Sequence, residues 1–506
     1  MRKPVKLAIA SCMAVVLAAC GGTQDIAEVK KDTLVVAQGS DAKTLDPHAT
    51  NDQPSSRVSA QIYSQLVETD ADMNIIPALA TSWEFESDTS TVFNLRQGVK
   101  FHNGEELKAS DVKFTLDRMI ASPTVAHIVG AIDSIDVIDD YTVRVNTKEP
   151  FGPLLYHFTH TATSILNEKA VTEGGNDYGQ NPVGTGPYQF VDWVVGDRVT
   201  MKAFEDYYEG EQEITNAIFR NVTEGTNRAI ALETGEVDIA YDIEPIDMST
   251  ITGNDKLTLV EEESLATDFF GFNTQRPPFD NVKVRQAIGY AVNSNDIIEA
   301  VLLGSGRAAN SPIGPTVFGY SESAFKYEQD IDKARELMAE AGYEDGFKTT
   351  ISTNDNPIRI QIAQILQAQL RKVNVDMAIE VTEWGAFLDA SSRGEQEMFI
   401  LGWVSVTGDA DYGLFPQFSS TTHGSAGNRT FYSNAEVDDL LLKARTSTDQ
   451  QERIDLYAEV QGIIQEELPF FSMYNKFQNV GMQKNVTGFE MSPGGHHRIK
   501  GVRFEG

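Results

Sequence analysis

The chain has 506 residues, with 41 Lys+Arg against 74 Asp+Glu, a formal net charge of −33, 41% hydrophobic and 23% charged residues. This is globular composition, far too apolar for disorder, and long enough for about two to four domains at roughly 100–200 residues each. The acidic excess excludes a nucleic-acid protein and adsorption to anionic lipid through a polybasic patch, and two cysteines exclude a disulfide scaffold or cysteine-rich zinc module.

Arg2, Lys3 and Lys6 precede a short apolar run, Leu7 to Val16, which ends in Leu17-Ala18-Ala19-Cys20. A basic start, an apolar core too short to span a bilayer and small residues before a cleavage point predict an export signal over residues 1–19. Leu-Ala-Ala-Cys resembles a bacterial lipobox, which implies that Cys20 is lipidated and becomes the new N-terminus. The alternative is an ordinary secretory signal in which Cys20 is incidental. Residues 20–32 are polar and read as a tether. No later segment has ~18 consecutive apolar residues. These features predict a body anchored by lipid on the extracytoplasmic face of a membrane, the periplasmic side in a two-membrane host.

Beyond the tether, Thr33 to Ala37 predicts a strand. Alternation in TVFNLR (91–96) and TVRVN (142–146) predicts two more. Asp332 reads as the cap of a helix carrying Ala334, Leu337, Met338 and Ala341 on one face, stopped by Gly342. Residues 357–373 place Ile358, Ile362, Ile365, Leu366 and Leu370 on one stripe behind Pro357. Val373 to Val381 predicts a strand, and 436–445 and 451–467 predict helices that end before Pro469. Interspersed strands and helices make this an α/β chain.

The chain carries in order SDAKTLDPH (40–48), IIPALATSWE (75–84), FNLRQGVKFHNGEELKASDVKFTLDR (93–118), NPVGTGPYQFVDW (181–193), ALETGEVDI (231–239), FNTQRPPFDNVKVRQAIGYAVN (272–293), KARELMAEAGYEDGF (333–347) and GWVSVTGDADYG (402–413). Together, over more than 400 residues, they resemble the large extracytoplasmic solute-binding proteins of peptide-type ABC importers, family 5 of that class. The resemblance implies a two-lobed, periplasmic-binding-protein-like clamp of type II with an extra subdomain. It divides the chain into lobe I at 33–75 and 182–269, an inserted subdomain at 76–181, lobe II at 270–480 and a return to lobe I at 481–506. Two crossover strands form the hinge, and closure is a population shift driven by a ligand that touches both lobes. The implied partners are a peptide or glutathione-like solute, membrane permease subunits and cytoplasmic ATPases, with the receptor a monomer. No Walker sequence GxxxxGK[ST] is present, so the chain is not the ATPase.

Many peptide-binding relatives place an Asp three residues after the Trp of the GW segment to capture the peptide's α-amino group. Here that position is Val406, and carboxylates fall instead at Asp409 and Asp411. The pattern is similar to that of glutathione-binding relatives. An ammonium leaving water needs a carboxylate, and Asp409 or Asp411 meets that need; both also suit turn and helix-capping roles. Dipeptide binders hold the ligand carboxylate with an Arg just before the helix at 357, which STNDNP (352–357) lacks. Arg359, one turn later, is a substitute or a solvated helix-face residue. Arg276 offers a second bidentate fork or an ordinary salt bridge. Trp384 and Trp403 are candidate cleft walls or core residues. Ser40, Asp41, Thr185, Gly186, Phe272 and Asn273 begin or end segments that border the cleft in the family. Gly184-Thr185-Gly186-Pro187 lacks the Lys of a phosphate loop, and turn geometry explains its glycines.

HExxH and GxSxG are absent, and the pairs His157/His160 and His496/His497 lack acids or cysteines at ligand spacing. The sequence therefore predicts no metal, no cofactor and no catalysis. The leading reading is a receptor for glutathione or a γ-glutamyl peptide. A general di- or oligopeptide receptor and a nickel-complex or haem carrier on the same fold are the alternatives, and an exported peptidase is the rival from another class.

Overall fold

The structure, a computed structural model, describes residues 31–322, 326–424 and 427–505. The expected signal, Cys20 and most of the tether lie outside the described residues. One compact unit runs from Asp32 to Glu505.

Its spine is an 11-stranded sheet. In spatial order the strands are Val375–Thr382, Phe347–Asn354, Met398–Val404, Leu257–Phe272, Phe470–Gln483, Ile239–Tyr241, Thr33–Gln38, Asn216–Asn221, Arg198–Ala203 and Tyr188–Val194, with Gly306–Ala308 added against Phe470–Gln483. The pairs of Phe347–Asn354 with its two neighbours, and of Thr33–Gln38 with its two, are parallel. The remainder are antiparallel. The two long strands, Leu257–Phe272 and Phe470–Gln483, pair with each other from Leu257↔Gln483 to Gly271↔Phe470 and belong to both halves. The boundaries expected at 269/270 and 480/481 fall inside these strands. Their register shifts between Glu263 and Thr267. A bulge there bends the ribbon where it passes from one lobe to the other.

Separate apolar cores fill the parts. One half gathers Leu34, Val36, Ala217, Phe219, Tyr241 and Val480. The other half has a core on each face of its sheet, around Phe270, Ile351, Leu366 and Met398 on one side and Phe269, Phe399, Leu414 and Tyr457 on the other. Between Ala80 and Thr147 a four-stranded antiparallel sheet and the helix Ala109–Ile120 enclose a core of Phe93, Val112, Leu116, Val143 and Phe158, which Tyr412 of the far half completes, with Trp403 and Val406 packed against it.

Local chemistry explains most boundaries. Helix Pro357–Leu370 opens on Asn356, whose side chain accepts from the Arg359 N–H, with Pro357 where a missing N–H costs nothing. A turn of 3-10 helix, Arg371–Val373, follows, and Asn374 sits in the left-handed region at φ +61°. The next strand therefore starts at Val375 rather than Val373. The helix expected behind Asp332 is capped two residues earlier by Asp330, which accepts from the Lys333 N–H. Helices Ala435–Thr446 and Gln450–Glu467 occupy the expected stretches. No helix of the described residues is long and apolar enough to cross a membrane.

Candidate ligand-binding cleft

In the far half, Phe347–Asn354, Val375–Thr382 and Met398–Val404 run parallel, so their C-terminal ends share one rim. Ligands of open α/β sheets bind outside such carboxyl ends. Helix Pro357–Leu370 starts at the end of the first strand, helix Trp384–Ser392 at the end of the second, and the turn 405–409 at the end of the third.

That turn leads into helix Ala410–Phe418. Asp409 is its N-cap, accepting from the Asp411 N–H at 2.8 Å. The Asp409 carboxylate also receives Nη2 of Arg453 on both oxygens, at 2.7 and 2.9 Å, and is fully buried. Burial pushes its pKa up and Arg453 pulls it back. Arg453 also donates to the Ala444 carbonyl and the Tyr457 hydroxyl. Asp411 accepts from Arg445 Nη2 at 3.2 Å and meets His157 Nε2 at 3.1 Å. Burial opposes its charge, but Arg445 and His157 hold it below the usual carboxylate range. Both acids are thus committed to cations of the chain itself. A carboxylate already neutralised by a guanidinium has little attraction left for a ligand ammonium, which weighs against the expected amine role, although Asp411 Oδ1 is buried without a hydrogen-bond partner among the described residues.

Asp411 is instead part of a closure contact. His157 belongs to the inserted subdomain and spends its other ring nitrogen on the Ile128 carbonyl at 2.6 Å. Beside it, the Tyr412 hydroxyl bonds Asn51 at 3.1 Å and His160 at 3.3 Å. The rings of His127, His157 and His160 surround Tyr412 at 5.3–6.4 Å. The Gly152 N–H donates to the Arg445 carbonyl at 3.0 Å. Burial pushes the His127 imidazole down to about 4 and the His160 imidazole well below its ordinary range. The two halves are therefore seen clasped together, and burial favours the neutral form of His127 and His160 at the clasp.

The remaining expected residues divide clearly. Phe272 and Asn273 sit at and just past the far end of the strand Leu257–Phe272, about 20 Å from the rim at ~3.3 Å per residue, since Phe272 pairs with Met398 and Ala266 with Val404. Phe272 is core, and Asn273 donates to the Gly394 carbonyl at 2.9 Å. Arg276, exposed beyond them, donates to the Glu395 carbonyl. These three belong to lobe architecture. Thr185 is buried, and Gly186 N–H donates to the Ile62 carbonyl at 2.8 Å. A Cβ on Gly186 would meet the Ile62 carbonyl carbon at 2.5 Å, so this glycine serves backbone packing. Ser40 and Asp41 follow the C-terminal end of Thr33–Gln38. Ser40 is exposed, whereas Asp41 accepts from the Trp193 indole at 3.2 Å and the Gly196 N–H at 2.6 Å, tying the loop to a hairpin.

Trp403 is half-buried and donates its indole N–H to the Tyr412 carbonyl at 2.9 Å. Trp384 stays 38% exposed, stacked on Phe387. Arg359 lies over its ring, 5.5 Å from the centroid, and donates to Asn354 Oδ1 at 3.0 Å. Trp384 and Arg359 therefore stand together on the rim. Between them and the hinge lies Asp268, which the sequence reading passed over. The signal for it was a single acid inside the apolar run LATDFFGF.

The chain matches the model of the bacterial extracellular solute-binding proteins, family 5, over residues 74–425. The chain belongs to that family. The glutathione-binding protein GsiB of Salmonella typhimurium is 35% identical over 474 residues, 91% of this chain and 92% of that relative. Among solved structures, the ABC transporter-associated periplasmic binding protein DppA from Helicobacter pylori, in complex with the peptide STSA, is 31% identical with a TM-score of 0.88. It covers 94% of this chain and 99% of that one. A dipeptide-binding protein from Pseudoalteromonas in complex with Met-Leu is 28% identical, also with a TM-score of 0.88, covering 94% and 100%. The fold of this family 5 protein is thus the type II periplasmic peptide-binding clamp.

Proposed function

We propose that this family 5 protein is the receptor of an ABC importer that captures glutathione, or a short peptide of similar chemistry, between its lobes and delivers it to a membrane permease. The observation that carries the reading is 35% identity across nearly the whole chain to a glutathione-binding protein, joined to a far half whose rim carries Trp384 and Arg359. Binding is reversible and non-covalent: the ligand bridges the lobes, and its contacts to both shift the population towards the clasped form. The receptor acts as a monomer held to the outer face of the membrane through lipid on Cys20, with the tether giving it reach.

The test is calorimetric titration of the full chain, purified in mild detergent, with glutathione, the dipeptide Met-Leu and a tetrapeptide in parallel. One-to-one binding of at least one, recovered chemically unchanged after long incubation, is the expected result. Binding of none refutes the reading, and cleavage of the ligand refutes its non-enzymatic part. Mass spectrometry of the membrane-extracted protein tests Cys20, where an unmodified N-terminus removes the anchor.

A further inference from the structure

Asp268 lies on the first crossover strand, one residue past the bulge that ends at Thr267 and at a second register shift between Asp268 and Phe269, opposite Gly402 on one side and Tyr474 on the other. It shares a sheet face with Phe270 but is not sealed: its surroundings leave it half-buried. The missing side chain at Gly402 makes the room, since a Cβ there would stand 2.9 Å from Asp268 Oδ1. Among the described residues no donor comes within hydrogen-bonding distance of this carboxylate. Two cations face it without pairing with it: Arg359, from the start of helix Pro357–Leu370, and Lys476, from the second crossover strand. Asp409, by contrast, holds Arg453 on both oxygens, and Asp411 holds Arg445 and His157 on Oδ2 while its Oδ1 is buried without a partner among the described residues.

A half-buried carboxylate with no donor has lost part of its hydration and gained nothing in return, which leaves it short of a positive hydrogen-bond donor. Burial pushes the Asp268 carboxyl up, and the two cations pull it back only in part. Arg359 is the complement. One of its nitrogens holds Asn354 while its face covers Trp384, so its remaining donors are oriented for an anion. An acid and a guanidinium that face each other without touching, on the ligand rim, match a molecule bearing an ammonium and a carboxylate on neighbouring atoms.

We infer that Asp268 is the residue that receives the ligand's α-ammonium, with Arg359 taking the adjoining carboxylate and Trp384 walling the aliphatic part. This rests on the peptide-receptor reading above and refines it. The recognised class is a free, zwitterionic α-amino-acid end, as in the γ-glutamyl group of glutathione, where ammonium and carboxylate share one carbon.

The experiment titrates the full chain, its Asp268→Asn variant and its Asp268→Glu variant with glutathione beside an analogue whose γ-glutamyl amino group is replaced by hydrogen, and with Met-Leu, which lacks such an end, as a check of the receptor reading alone. Asn is isosteric, so folding is preserved, and a thermal melt checks it. The wild type is expected to prefer the amino form by about tenfold to hundredfold, the range of a hydrogen bond between charged groups. Asp268→Asn is expected to bind both forms alike, and Asp268→Glu to keep much of the preference. Undiminished preference in Asp268→Asn overturns the inference and leaves the receptor reading standing, as does equal binding of both forms by the wild type. A wild type that binds neither glutathione nor Met-Leu overturns both.

Discussion

Acid is expected to loosen the clamp, and the clasp around Tyr412 gives the size of the effect. His127 and His160 project from the inserted subdomain onto Tyr412 of the other half. In the clasped form burial holds His127 at about 4 and His160 well below its ordinary value. When the halves part, Tyr412 leaves and both rings meet water, where histidine titrates near 6.5. A group depressed in the closed form contributes to closure above its open-form value and loses that contribution as pH falls. Closure is therefore at full strength above about pH 6.5 and weakens from there towards pH 4. At pH 5.5 each histidine disfavours closure by ~1.4 kcal/mol, about tenfold in apparent affinity. Its charged neighbours do not cancel this: Asp411 is held below the carboxylate range, so it stays ionised, and Arg445 opposes a second positive charge nearby. A peptide's carboxylate keeps its charge in this window, and its amine stays protonated. The assay is the dissociation constant for glutathione, or for whichever peptide binds, from pH 7.5 to 5.0 in the wild type and in His127→Gln/His160→Gln. The wild type is expected to weaken by about two orders of magnitude between pH 7.5 and 5.5, about tenfold per histidine, and the double variant to show a much flatter profile. A wild-type constant unchanged between pH 7.5 and 5.5 refutes the reasoning.

Asp409→Ala strands the Arg453 guanidinium among buried groups and is expected to destabilise the protein by about 3–5 kcal/mol, seen as a lowered midpoint in denaturant. Asp411→Asn removes an ion from the contact with His157 and is expected to weaken ligand binding more than it lowers the melting temperature, because that contact spans the halves. Trp384→Ala removes a ring that is 38% exposed but stacked on Phe387 and covered by Arg359, and is expected to reduce affinity severalfold while costing about 1–2 kcal/mol of stability, seen in denaturant melts. Gly186→Ala drives a methyl into the Ile62 backbone and is expected to cut the yield of folded protein, measured by soluble expression and circular dichroism.

Elements whose patterns follow from local chemistry were legible. The stripe Ile362, Leu366 and Leu370 behind Pro357 is a buried helix face, and Thr33–Gln38 is a buried strand. The start of the strand at Val375 was not, because Asn374 takes a left-handed turn that a continuous apolar pattern does not announce. On the rim, sequence named Trp384 and Arg359, which the structure brings together. It could not show that Asp409 and Asp411 were spoken for, since Arg453 and Arg445 approach them from helices 34 to 44 residues further along the chain. Nor could it separate Asp268 from any other acid: its lack of a donor is a property of what surrounds it, and Gly402 and Arg359 are brought there only by the sheet and the helix that follows it.

The bulged ribbon that joins the halves also limits how they can move. Two antiparallel strands hydrogen-bonded side by side resist shear and splay, yet fold readily across the plane of a ribbon where the ladder is interrupted, as it is between Glu263 and Thr267. Opening is thereby reduced to something near a single coordinate. Any ligand that brings the halves together must then bring them to nearly the same end point, whatever its side chains. The outward face offered to the transport machinery becomes a report that the clamp is full, independent of what fills it. A single docking geometry on the membrane side then suffices for every molecule the receptor accepts.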